Sequence, residues 1–111
     1  MNGIASDFTR AYADSELYKN AIENVNTNHT AVAILGDIQP IDKLAILGGS
    51  VNYSNDNKTV STSIIIIGTK GKGKLDISAD KEDGTWNYKT ITIRIKHPKE
   101  KQQTLAILTS E

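Results

Sequence analysis

The sequence predicts an α+β domain in which an N-terminal helical segment packs on a curved, mainly antiparallel sheet of about five strands. Three observations carry this. Apolar residues recur at helical spacing up to Gly36 and at strand spacing afterwards. Turn-forming residues separate the strand-like runs. The chain of 111 residues suffices for one modest core but not for two. Helices followed by a run of strands belong to the segregated α+β class.

Asp14 or Ser15 can cap the first helix, whose stripe is Leu17, Tyr18, Ala21, Ile22 and Val25. Glu16 in its first turn suits the helix dipole, and Phe8 and Tyr12 extend the stripe upstream. Asparagines and threonines over 24–30 interrupt the pattern. A second short helix runs from about Asn28 through Ala31 to Leu35 and stops at Gly36, a normal C-terminal glycine. Pro40 punctuates the passage to strands. Residues 44–53 alternate loosely and contain Gly48-Gly49, a bulge or close-packing point. Asn55-Asp56-Asn57 is a turn, and 60–67 is the next strand. Residues 73–81 and 86–96 form a hairpin through Glu82-Asp83-Gly84. A polar loop over 99–103 leads to a last short strand at 104–109.

Two strand details ask for a physical account. Ile64 to Ile67 put apolar side chains on both faces of the sheet. Helices can cover one face, and the other needs sheet curvature, a long loop or a partner protein. Trp86 and Tyr88 are even-numbered, whereas Ile91, Ile93 and Ile95 are odd. Either a bulge near Lys89-Thr90 realigns them, or the sheet is covered twice. Trp86 reads most simply as a core residue and Arg94 as an exposed one.

Formal net charge is zero, from 13 basic and 13 acidic residues, so no global field favours nucleic acid or an anionic membrane. Lysines cluster locally at Lys70, Lys72 and Lys74 and at Lys96, Lys99 and Lys101. No aromatic interleaves with them as a base-stacking platform requires, so they read as solvated strand flanks. Cysteine is absent, which excludes disulfides and thiolate chemistry. His29 and His97 are the two histidines, and a zinc site would need carboxylates or water to complete it. His97 precedes Pro98, which suits a strand-end loop. The longest apolar runs, 31–35 and 64–67, are too short to span a membrane.

Catalysis needs convergent groups, and few candidates exist. Asp56, Asp80, Glu82 and Asp83 fall in turns, where solvated turn chemistry accounts for them. No G-x-S-x-G elbow occurs. The sequence therefore predicts no enzyme, with no catalytic, cofactor-binding or metal-binding residues. One motif argues otherwise: Gly68-Thr69-Lys70-Gly71-Lys72-Gly73-Lys74 matches G-x-x-x-x-G-K after an apolar run. The next residue, however, is Leu75 where a P-loop needs Ser or Thr. Residues 74–79 alternate as a strand, without the helix whose N-terminus would face the phosphates. A glycine-permitted bend between strands accounts for the motif better.

The same residues carry a family resemblance. Gly36 ends a helix, Gly68-Thr69-Lys70-Gly71-Lys72-Gly73 fits G-x-K-G-x-G before a strand, and Gly84-Thr85-Trp86 fits G-x-W before another. Over roughly residues 18–108 the chain resembles the cytochrome c oxidase assembly factor 1 family, whose domain is similar to that of the mitochondrial inner-membrane translocase subunit 21. The resemblance implies a helical segment on a curved antiparallel sheet, with Gly36, Gly68, Gly71, Gly73, Gly84 and Trp86 as scaffold residues. It implies a non-catalytic accessory factor, bacterial here and tethered by an N-terminal membrane helix, that docks on subunits of a membrane complex. On that reading 1–13 is an extension or linker following an anchor, and 14–111 is one domain on the periplasmic side. No nucleic acid, nucleotide or cofactor is expected. The alternative is a carrier of a small apolar ligand, in a closed cavity lined by side chains such as Ile65, Ile91 and Trp86.

Overall fold

The computed structural model describes residues 11, 14–39, 41 and 49–109. Among these residues, helices α1 (Ser15–Asn26) and α2 (His29–Leu35) precede strands β1 (Ser50–Ser54), β2 (Thr59–Ile67), β3 (Lys72–Glu82), β4 (Thr85–His97) and β5 (Gln103–Thr109). The strands form one open antiparallel sheet in the order β1-β2-β3-β4-β5, each paired with its neighbour in sequence. The α+β class and the strand count are those the sequence predicts. Phe8, Tyr12, Gly48 and the proposed strand start at 44 lie outside the described residues.

Asp14 stands at the N-cap of α1 but makes no side-chain bond to the helix. Its carboxylate accepts instead from the Tyr53 phenol, at 2.8 Å, which ties the start of the helix to β1. In α2 capping is local. Asn28 Oδ1 accepts from the Ala31 N–H at 2.9 Å, and Gly36 turns the chain at φ 76°.

Leu17, Tyr18, Ala21, Val25, Ala31 and Leu35 from the helices share one buried cluster with Val60, Ile64, Ile66, Leu75, Ile77, Ala79, Ile91, Ile93 and Ile95. Inside it, Thr62 donates to the Ser50 carbonyl at 2.8 Å. Its oxygen therefore accepts from Tyr18, whose phenol lies 3.0 Å away. Burial raises the Tyr18 pKa, the Thr62 hydrogen bond opposes that, and the Asp14 charge adds to it.

The parity conflict in β4 is resolved by a bulge. Ser78 pairs with Thr90 and Ala79 with Tyr88, leaving Lys89 as an extra residue. The alternation flips there, so Trp86 and Tyr88 pack against the same core as Ile91, Ile93 and Ile95. A similar insertion at Ile107 lets both Leu105 and Leu108 reach the core from β5.

The isoleucine run departs from expectation. Ile64 and Ile66 are buried, Ile65 is half-buried, and Ile67 is 45% exposed at the strand end. Around Ile65 the outer face is polar, because its cross-strand partner is Lys74, which in turn pairs with Arg94. A doubly apolar sheet is thus not what the run builds. Residues 99–101, expected as polar loop, form a 3-10 turn, and Gln103 already belongs to β5.

Candidate functional site

The glycine-lysine loop joins β2 to β3 and closes on the end of α2. Lys70 N–H donates to the Leu35 carbonyl at 2.8 Å, satisfying an acceptor in the last turn of the helix. Thr69 brackets Asp37: its N–H donates to the Asp37 carbonyl at 3.0 Å, and its hydroxyl accepts the Asp37 N–H at 3.1 Å. Gly68 N–H donates to the Gly71 carbonyl at 2.8 Å. A phosphate cradle needs these N–H groups free, and here three in succession are committed to main-chain carbonyls. The loop leads into β3 and meets α2 at its C-terminal end, so among the described residues no helix N-terminus faces it either. Its chemistry is that of a clasp on a helix end.

The clasp explains the glycine spacing. A β-carbon on Gly68 would overlap the Leu35 carbonyl oxygen, and one on Gly36 the Thr69 hydroxyl. Gly71 and Gly73 lie equally close to the carbonyls of His97 and Arg94 in β4. Gly84 differs. Nothing lies near it, but φ is 78°, and Asp83 before it has φ 52°. Both central residues of this two-residue hairpin loop are left-handed, which suits Asp-Gly. Trp86 follows, half-buried, with its ring 6.3 Å from that of Tyr53 at 50° and the Lys81 ammonium 5.0 Å from the ring centre.

The outer face of the sheet holds a group that sequence reading missed. Asp76 on β3 receives Arg94 Nε and a terminal guanidinium nitrogen of Arg94 from β4, both at 2.8 Å, and the Ser63 hydroxyl from β2. Arg94 is therefore not a free surface residue. The legible signal was strand pairing, since Ser63, Asp76 and Thr92 are in register and Arg94 lies one pleat along from Thr92 on the same face. Three central strands are pinned there, and the carboxylate that accepts the Ser63 hydroxyl is already paired with the Arg94 guanidinium.

The remaining candidates stay apart. Asp80 accepts from the Thr59 hydroxyl at 2.8 Å and lies 3.5 Å from Lys89. Glu82 accepts from Asn87 at 3.3 Å. His29 begins α2 and His97 ends β4, both exposed. Among the described residues no three His, Asp or Glu side chains gather as a metal site requires. An open pocket of about 170 Å³ is lined by Glu16, Leu17, Asn20, Gly84, Thr85 and Trp86. It is not the cavity of the carrier reading, because Ile65 lies on the opposite face from Ile91 and Trp86. Among the described residues no helix is long and apolar enough to cross a membrane.

A family model described as cytochrome oxidase complex assembly protein 1 matches residues 3–109. No curated protein matches the chain, and no solved structure does.

Proposed function

We propose, for a chain that belongs to the cytochrome oxidase complex assembly protein 1 family, a non-catalytic role as a protein-interaction module in building cytochrome oxidase or a related membrane complex. The observation that carries this reading is the family match, which spans residues 3–109 and so nearly the whole domain. Two features of the molecule support it. The glycine loop has three successive N–H groups committed to main-chain carbonyls, one of them at the end of α2, and on the outer sheet face the Asp76 carboxylate is held by the Arg94 guanidinium and the Ser63 hydroxyl. Both suit a scaffold that presents surfaces.

In this reading the partners are subunits of the membrane oxidase, and the domain works as the periplasmic part of a bacterial factor anchored by a membrane helix. Residues 1–13 lead from that anchor to the domain at 14–111, with Ala11 already buried at its border. Gly36, Gly68, Gly71, Gly73, Gly84 and Trp86 act as scaffold, holding the helical segment against a curved sheet. Crosslinking in cells followed by mass spectrometry of the captured proteins tests the proposal. Enrichment of oxidase subunits supports it. Repeated capture of background alone, at normal expression, rejects it.

A further inference from the structure

Antiparallel pairing brings the two lysine clusters onto one end of the sheet. The β2–β3 turn carries Lys70 and leads into Lys72, while the passage from β4 to β5 carries Lys96, Lys99 and Lys101. Lys72 lies opposite His97, Lys96 is the extra residue of a bulge, and Gly71 touches the His97 carbonyl and the Pro98 ring. All five lysines are exposed, and among the described residues none is ion-paired with an acidic side chain. Among the described residues, Glu100 in the 3-10 turn and Asp37 under the clasp are the carboxylates at this end. The other end reverses the balance. Among the described residues, Asp14, Glu16, Asp56, Asp80, Glu82 and Asp83 outnumber Lys19, Lys58, Lys81 and Lys89 there. In a chain of zero net charge, the described residues thus set a basic end of the sheet against an acidic one.

We propose that the lysine end is a docking surface for an anionic phospholipid membrane, a property beyond the assembly role and independent of any anchor. Lysines are compact, hydrated point charges that suit a diffuse headgroup layer, whereas arginine forks suit fixed phosphate sites. The flanking segments 68–72 and 96–103 contain no Phe, Tyr or Trp, and the His97 imidazole is their single aromatic ring, too little for a base-stacking platform. Ile67, the one large apolar side chain exposed among the described residues, pairs with Lys72 at this same end. An apolar tip amid lysines fits the headgroup boundary, where buried apolar area and charge attraction add.

The test is co-sedimentation of the 111-residue chain with vesicles of neutral phosphatidylcholine or of the same lipid with about one-third phosphatidylglycerol. Binding is expected on the anionic vesicles alone and should fall steeply as salt shortens the Debye length. The variant K70Q/K72Q/K99Q/K101Q should lose at least two orders of magnitude, at about fivefold per lysine. K58Q/K81Q/K89Q, at the other end, should retain binding. An unchanged melting temperature certifies both variants. Should the first not fold, the lipid and salt dependence of the unmodified chain still decides. Equal binding to neutral vesicles, none to anionic vesicles at low salt, retention in the first variant, or tighter binding to a single-stranded oligonucleotide or an acidic peptide overturns the proposal.

Discussion

The Tyr88 phenol donates a 2.5 Å hydrogen bond to the Leu17 carbonyl, joining β4 to the first turn of α1 across 71 positions of sequence. The bond exists because the Lys89 bulge turns Tyr88 toward the helices. Tyr88→Phe keeps the ring and removes the donor. Urea denaturation should show a loss of about 0.5–1.5 kcal/mol with an unchanged m-value.

The same tyrosine sets an alkaline limit. Burial first, then the charges of Glu23 and Glu16, push its pKa up from 10.0 to about 12. Between those values the unfolded chain has released a proton that the folded chain keeps. Stability should therefore be level below pH 10 and fall as pH rises toward 12, with Tyr18 acting in the same direction. Melting temperatures across that range check the sign, and Tyr88→Phe should flatten the fall.

Lys89 should be indispensable as a residue though not as a lysine. Deleting it removes the bulge and turns Trp86 and Tyr88 to the outer face. Trp86 is the single tryptophan, so its emission reports the change directly. A red shift and a loss of about 2 kcal/mol or more are expected on deletion. Lys89→Ala should leave the emission unchanged and forgo only the exposed Asp80 pair.

Gly68 and Gly84 should respond to alanine for different reasons. At Gly68 the new methyl meets the Leu35 carbonyl, so α2 and the loop must separate at a cost of about 1–3 kcal/mol. At Gly84 space is open, and the left-handed backbone alone costs about 1–2 kcal/mol. Gly84→Asn should recover most of that loss, while Gly68→Asn should be worse than alanine. Thermal melts of the four variants separate the two causes.

The pair between Asp76 and Arg94 has side chains 33% and 40% exposed, so solvent screens it. A double-mutant cycle with D76N and R94Q should give a coupling of about 0.5–1 kcal/mol, near the upper end for a surface pair because the contact is two-pronged. That coupling should shrink in high salt, whereas the Tyr88 contribution should not.

Much of this molecule was legible before folding because the cues are local. The helix start near Asn28, the Gly36 stop and the hairpin through Glu82-Asp83-Gly84 rest on cues within a few residues of themselves, and the structure places all three there. Even the bulge at Lys89 was readable, since an odd–even conflict within one strand needs an inserted residue or a second covered face. The Asp14 side chain misled because a better acceptor role, toward Tyr53, arises only once β1 is folded. The isoleucine run misled because hydropathy alone does not reveal its cross-strand neighbours, Lys74 opposite Ile65 and Lys72 opposite Ile67.

By itself the sequence determined the α+β class, about five mainly antiparallel strands and the hairpin through Glu82-Asp83-Gly84. Tertiary structure alone decided what those parts touch: the loop on the end of α2, Asp76 between Ser63 and Arg94, and five lysines at one end of a neutral chain. Periodicity and capping are written in neighbouring residues. Which charges meet depends on register between strands, and register is set by packing of the whole core.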